Sequence, residues 1–268
     1  MSGTRIDGAT RLYAILGDPI AQVKSPTLFT ERFAQAGLNA VMVPMHVLPD
    51  RFDDAMRALT ALGNVDGLVL TVPYKARGAA FATRLGRTAA AIGAANALRR
   101  EPDGSWSGDM FDGLGFVRGA ERKGHAVQGR KVALFGAGGA GSAIGAELVA
   151  AGAASLAILD PARDRADVLA TRLSKAFPGV PIAAASGVPP GTDMIVNAST
   201  IGLRDGDGLP GDLGTVGPGT LIGDVMNTDP DAPSPMIRHA KAHGCPYVTG
   251  REMFEGQADA LMAFLRRS

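Results

Sequence analysis

Short apolar runs alternate with longer stretches whose apolar residues recur every three or four positions, and the alternation continues along the whole chain. Apolar runs bounded by Gly, Pro or Asp read as buried strands, and the periodic stretches read as amphipathic helices. In the first half this predicts strands over residues 12–16, 40–46 and 67–72, and helices over 25–36 and 50–62. Ser25 is placed to N-cap the first helix, with Pro26 at its first helical position. Residues 74–85 and 88–92 also read as helical, and 95–99 with 105–108 as a hairpin around Pro102-Asp103-Gly104. These pieces form a first α/β unit without a phosphate fingerprint.

The composition shifts near Asp109, and residues 112–122 read as a linking helix with Asp112 at its start. The run Val132-Ala133-Leu134-Phe135 then meets Gly136-Ala137-Gly138-Gly139-Ala140-Gly141, and an Ala/Leu-rich helix follows through Ala151. Gly136, Gly138 and Gly141 stand at G-x-G-x-x-G spacing. The first allows a tight turn, the second lets backbone approach a pyrophosphate, and the third lets helix pack on strand. The helix start adds free N–H groups and a dipole that favour an anion. In a chain with 36 glycines that spacing alone is weak evidence. Its place between a strand and a helix, answered by a second strand over 155–159 that ends in Asp160, makes a dinucleotide site the better reading. Later strands are expected over 182–185, 194–197 and 221–224, and helices over 233–242 and 252–266. The Gly/Pro/Asp-rich loop 202–219 is too long for a simple connector and is expected to be functional or mobile. The fold class expected is α/β, with two α/β domains around a cleft and ligands at strand carboxyl ends.

A length of 268 residues suits about two domains, and a net charge of +1 supplies no drive toward nucleic acid or a membrane surface. The lone Cys245 excludes an internal disulfide and fits a reducing compartment. No secretory signal is visible and no apolar run reaches the ~18 residues of a membrane span. A soluble cytoplasmic protein is expected, with no nucleic-acid or membrane partner.

Several residues are candidates for chemistry, each with a plainer reading. Lys75 reads first as a solvated lysine at a helix start, although a cation is disfavoured there. Asp112 reads as an N-cap, Asn96 as a turn residue and Gln257 as a solvent-facing helix residue. His239 and His243 have metal-ligand spacing but lack a third ligand, and with Arg238 and Lys241 they fit a basic helix C-terminus. No metal is expected. No G-x-S-x-G elbow is present, so a hydrolase is unsupported.

Taken together the pieces match a family. The chain resembles the shikimate/quinate dehydrogenases along nearly its whole length, in Gly17-Asp18-Pro19-Ile20 with Ser25-Pro26, Thr71-Val72-Pro73-Tyr74-Lys75 and Gly93-Ala94-Ala95-Asn96. The match continues through Gly108 with Asp112 and Gly115, Gly136 to Gly141, Asn197 with Gly202, and Gly250, Met253 and Gln257. The resemblance implies an N-terminal substrate-binding domain over 1–108, rejoined by 249–268, and a Rossmann-type dinucleotide-binding domain over 109–248. It implies Lys75 and Asp112 as the catalytic acid–base pair, with Ser25, Thr71, Asn96 and Gln257 on the substrate. Implied cofactor contacts are Gly136, Ala137, Gly138, Gly139, Ala140, Asp160, Arg163, Arg165, Asn197, Val225 and Gly250. The implied reaction oxidises a ring hydroxyl of shikimate, quinate or a close cyclic polyol carboxylate by hydride transfer to nicotinamide, Lys75 taking the proton. A homodimer is left open.

Departures from the family pattern shape the rest. Where members that use NADP carry Asn-Arg-Thr, this chain has Asp160-Pro161-Ala162, with Arg163 and Arg165 beyond. A carboxylate ~4 Å from a 2′-phosphate repels it by ~4 kcal/mol at an effective dielectric near 20, so NAD is expected to be preferred over NADP. In the substrate pocket Val23-Lys24-Ser25-Pro26 replaces Ser-x-Ser-Pro, and Val69-Leu70-Thr71 replaces Asn-Val-Thr. Met110-Phe111-Asp112 replaces Asn-Thr-Asp, and Asn227 stands near an expected tyrosine. Each hydrogen bond lost to a charged group costs ~1.5–3 kcal/mol, and Lys24 is expected to restore the anion site. Rival readings are a dehydrogenase of an amino-substituted or otherwise modified shikimate analogue, and a sensor that binds a quinate-like ligand without turnover.

Overall fold

A computed structural model describes residues 6–202, 204, 206–225 and 231–266; Asn227 lies outside the described residues. The chain forms two compact units, one running to Met110 and taking in the chain again from Ala260, the other spanning Phe111–Asp259.

The first unit contains β1 (Arg11–Gly17), α1 (Ser25–Gln35), β2 (Ala40–His46), α2 (Phe52–Ala61), β3 (Val65–Leu70) and the short α3 (Lys75–Gly78). It continues through β4 (Arg84–Leu85), α4 (Arg87–Ile92), β5 (Ala97–Arg100) and β6 (Trp106–Asp109). Its six-stranded sheet runs β2-β1-β3-β5-β6-β4. β1 lies parallel to β2 and β3, whereas β5 and β6 form the expected antiparallel hairpin. The carboxyl ends of β1, β2 and β3 therefore share one edge with the start of β5, where Ala97 faces Val69. Buried Phe29, Phe33, Phe52, Met56 and Leu68 fill the core.

Two expectations here are corrected. Ser25 does not cap α1; it is the first helical residue, Lys24 holds the N-cap position, and no side chain caps the helix. Residues 74–85 do not form one helix. α3 ends at Gly78, and Arg84–Leu85 joins the sheet as β4 beside Ser107 and Gly108. The backbone bonds Thr83 N–H to Trp106 O (2.7 Å) and Gly86 N–H to Gly108 O (2.8 Å) capture this segment, because sheet pairing satisfies groups that a helix would otherwise use.

The second unit contains α5 (Asp112–Arg122), β7 (Lys131–Phe135), α6 (Gly139–Ala150), β8 (Ser155–Leu159), α7 (Arg163–Ala176) and β9 (Ile182–Ala184). β10 (Met194–Asn197), β11 (Leu221–Asp224), α8 (Pro235–Ala242), β12 (Tyr247–Thr249) and α9 (Gly250–Leu265) complete it, the last turn of α9 belonging to the first unit. Its parallel sheet runs β12-β11-β10-β7-β8-β9, so chain order reverses between β7 and β10. That switch point is where doubly wound α/β sheets bind ligands. Within the expected loop 202–219, buried Leu213 packs in one cluster with Phe135, Ile195 and Ile222. No described helix is long and apolar enough to cross a membrane.

Candidate dinucleotide and substrate sites

The glycine turn has the geometry that its spacing predicts. Gly136 takes φ +98°, and a Cβ there would stand 2.8 Å from Ser199 N. A Cβ on Gly141 would stand 1.9 Å from the Gly136 carbonyl, so neither position admits a side chain. At Gly138 the nearest atom to such a Cβ is Arg165 Nη2 at 3.5 Å, which leaves that face open for a ligand's approach. Gly139 and Ala140 begin α6, whose first turn has neither a side-chain cap nor an acidic residue. The N–H groups of this first helical turn and the dipole end suit a pyrophosphate.

Beside this turn lies a cavity of about 240 Å³ lined by Ala137, Ser142, Asp164, Arg165, Val168, Leu169 and Arg172. Asp160 sits below it with a side chain only 6% exposed. Its carboxylate accepts the Ala137 N–H at 2.8 Å and the Ala162 N–H at 2.9 Å. Arg165 lies 3.5 Å from it, with a largely exposed side chain. Arg163 turns away, to Asp167 at 3.3 Å and the Ala184 carbonyl at 3.1 Å. Arg172 was not anticipated, yet it stands two helical turns beyond Arg165 on the same face of α7. No helix was expected over 163–176, although the periodic apolar residues Ala166, Leu169, Ala170 and Leu173 mark one.

Asn197 ends β10, and its amide is fully engaged within the protein. Nδ2 donates to the Ile201 carbonyl (2.9 Å) and to Asp224 (3.2 Å), while Oδ1 accepts from Ser199 N–H and hydroxyl (3.1 and 2.7 Å). Val225 is buried and donates its N–H to the Asn197 carbonyl at 3.1 Å, and Gly250 opens α9. Asp112, 3% exposed, opens α5, and Gln257, 9% exposed, lies on α9. The plainer readings, a solvent-facing Gln257 and an N-capping Asp112, do not hold; Phe111 is the N-cap residue. α5 and α9 meet through glycines, a Cβ on Gly115 falling 2.5 Å from the Met253 carbonyl and 2.8 Å from Gln257 Cβ.

In the first unit the sheet edge gathers Thr71, Lys75 and Asn96. Thr71 N–H donates to the Leu16 carbonyl (3.0 Å), the Ala95 N–H to the Lys75 carbonyl (2.9 Å), and Leu70 N–H to the Asn96 carbonyl (2.8 Å). Buried Tyr74 fixes the turn that bears half-buried Lys75: its ring stacks on Phe52 at 4.2 Å and its hydroxyl donates to the Val47 carbonyl. Ser25 is 8% exposed, and its hydroxyl has no hydrogen-bond partner among the described residues. Exposed Lys24 precedes it at the uncapped start of α1. Among the described residues no group of three His, Cys, Asp or Glu is placed to hold a metal ion.

Residues 15–98 match the family model for the shikimate dehydrogenase substrate binding domain. The chain is 36% identical over 259 residues to shikimate dehydrogenase (NADP(+)) of Rubrobacter xylanophilus, covering 94% of this chain and 89% of that protein. It is 33% identical over 264 residues to the protein of the same name from Geobacter sulfurreducens, covering 95% and 91%. The structure of quinate dehydrogenase from Corynebacterium glutamicum in complex with NAD superimposes with a TM-score of 0.83 at 25% identity, covering 96% of this chain and 93% of that one. The expectation that NAD is preferred over NADP is overturned, because both curated relatives are named for NADP(+). The Asp160 carboxylate is not free beside the glycine turn. Its charge is spent on two backbone N–H groups and on Arg165, and the cavity beside it presents two arginines. The shared domain, the extent of the identity and the doubly wound second sheet agree: this chain belongs to the shikimate/quinate dehydrogenase family of oxidoreductases.

Proposed function

We propose that the protein reversibly oxidises a ring hydroxyl of shikimate, quinate or a closely related cyclic polyol carboxylate, with NADP(H) as its nicotinamide partner. The observation that carries this reading is the sheet edge of the first unit. There the turn bearing Lys75 is held by the Tyr74 N–H on the Thr71 carbonyl and by the Ala95 N–H, next to Asn96, on the Lys75 carbonyl. When bound, the dinucleotide supplies the hydride acceptor. Lys75 in its neutral form accepts the hydroxyl proton as the carbonyl forms, and in its ammonium form returns it in the reverse direction. Asp112 is assigned as its acid–base partner, and Gln257 with Asn96 and Thr71 as donors that orient the ring hydroxyls. The uncapped start of α1, the unpartnered Ser25 hydroxyl and the Lys24 ammonium suit the substrate carboxylate. Arg165 and Arg172 suit the 2′-phosphate of NADP(H).

The test is absorbance at 340 nm with a panel of hydroxylated ring acids and a neutral cyclic polyol, each with NADP+. Turnover of a ring acid that falls about a thousandfold or more in Lys75→Ala and in Asp112→Ala, with binding retained, is expected. No turnover of any ring acid, or turnover unchanged in Lys75→Ala, overturns the reading.

A further inference from the structure

We propose that Asp224 is a positioning residue: its carboxylate fixes the orientation of the Asn197 amide and, through it, the turn 198–201 that packs against Gly136. The inference rests on the dehydrogenase reading for what that turn serves, the dinucleotide, but its geometry lies within the second unit alone.

Asp224 ends β11 directly opposite Asn197 at the end of β10, and it is fully buried. A carboxylate in such a place is costly unless hydrogen-bonded, so its retention calls for a role that an apolar residue would not fill. Its Oδ1 accepts from Asn197 Nδ2, and its Oδ2 accepts from the Ser234 hydroxyl. Ser234 in turn accepts the Ile237 N–H at 3.2 Å and so caps α8.

The chemistry of these partners sets a direction. An ionised carboxylate only accepts, whereas an asparagine amide has one donating and one accepting end. Facing Asp224, Asn197 must turn its NH₂ inward, which leaves Oδ1 for Ser199. Ser199 N–H and hydroxyl both donate to that oxygen, and the Ser199 hydroxyl accepts the Ile201 N–H at 3.2 Å. With the amide reversed, NH₂ would face the Ser199 N–H and the turn would lose its acceptor. The turn matters because the Ala198 and Ser199 backbone stands where a Cβ on Gly136 would be, at 2.8–2.9 Å. A displaced turn therefore meets the glycine on which the pyrophosphate-binding geometry depends.

Asp224→Asn keeps the size of the side chain but can present either amide end to Asn197, and Asp224→Ala removes the acceptor. Hydrogen exchange is measured on the ligand-free protein, and NADPH binding is followed by its fluorescence. Exchange at the Ser199 and Ile201 amides should rise at least tenfold in Asp224→Asn, while Ile195 and Val196 in β10 stay protected. NADPH affinity should fall threefold to tenfold in Asp224→Asn and further in Asp224→Ala, with the ring-acid KM at saturating NADPH within twofold of the unaltered protein. Ser234→Ala, which removes one donor to Asp224, should weaken NADPH about threefold and serves if Asp224→Ala does not fold. Unchanged exchange at Ser199 and Ile201 overturns the proposal, as does loss of cofactor and ring-acid affinity in equal measure. Failure of the unaltered protein to bind NADPH overturns the dehydrogenase reading instead, and the exchange result still decides the role of Asp224.

Discussion

The Asp160 carboxylate accepts the Ala137 N–H at 2.8 Å, joining the end of β8 to the glycine turn that follows β7. The acid thereby serves the turn, and Arg165 and Arg172 line the cavity proposed to take the 2′-phosphate. Arg165→Ala and Arg172→Ala should each raise the KM for NADP+ by roughly ten- to a hundredfold, in keeping with ~1.5–3 kcal/mol for a hydrogen bond to a charged group, with little change for NAD+. Asp160→Ala should weaken both dinucleotides, since it releases the N–H groups of Ala137 and Ala162. Initial rates with each cofactor decide the matter. Equal losses for NAD+ and NADP+ in Arg165→Ala would remove the phosphate role.

A second expectation concerns the turn that carries Lys75. Tyr74 is fully buried, stacks on Phe52 and donates its hydroxyl to Val47, while the Arg77 guanidinium lies 4.8 Å from the Phe52 ring centroid and bonds the Pro49 carbonyl at 2.6 Å. Tyr74→Phe keeps the stack but leaves a carbonyl without its donor, at a cost of about 1–3 kcal/mol. The melting temperature should drop by several degrees. On the proposed role of Lys75, kcat should fall more than the substrate KM rises, because the change loosens the turn that carries this amine rather than the residues proposed to bind the ring. A lower melting temperature with kcat untouched would show that Tyr74 serves stability alone.

Acid should act on the start of α9. Burial alone would push the Glu252 carboxyl up, but the hydroxyl and N–H of Thr249 and the nearby Lys123 ammonium together hold it below the ordinary carboxylate value. A depressed carboxyl contributes stability that is present above its unfolded value and lost as pH falls through its folded value. Glu252→Gln keeps an acceptor for Thr249 but loses the charge, so it should be less stable than the unaltered protein at pH 7 by about 0.3–1 kcal/mol, and the gap should close below pH 4. Urea titrations at pH 7 and pH 3.5 test this. A gap that persists unchanged in acid would assign the loss to packing.

Much of this was legible in residue order. The strands over 40–46, 155–159, 194–197 and 221–224 and the helix over 112–122 lie where periodicity and Gly/Pro punctuation put them. The glycine turn was legible because each glycine answers a local steric demand, as at Gly136 and Gly141. The hidden features depend on partners distant in sequence. Arg84–Leu85 becomes a strand because Ser107 and Gly108 offer it an edge, which no local pattern states. The orientation of Asp160 is set by the Ala137 and Ala162 N–H groups, and its sign of charge alone misled. Ser234-Pro235 is a helix-start signal, yet its link to Asp224 appears only once β11 and α8 are folded together.

The crossing of α5 and α9 offers the last test, because backbone there occupies the space of absent side chains. A Cβ on Gly115 would lie 2.5 Å from the Met253 carbonyl and 2.8 Å from Gln257 Cβ, and one on Gly256 would lie 2.2 Å from the Gly115 carbonyl. Backbone yields less readily than a side-chain tip, so Gly115→Ala must push α9 aside and should cost about 1–3 kcal/mol, as overpacking does. Propensity runs the other way, since alanine favours a helix over glycine by about 1 kcal/mol, and a net loss therefore isolates the steric term. Because the displaced residue is Gln257, the ring-acid KM should rise severalfold while the NADPH dissociation constant stays near its original value. Gly113→Ala is a control for the other side of α5, its Cβ meeting the Ala143 carbonyl at 2.2 Å: it should destabilise without the same rise in ring-acid KM. If both variants raise that KM alike, the effect belongs to α5 as a whole and not to the seating of Gln257.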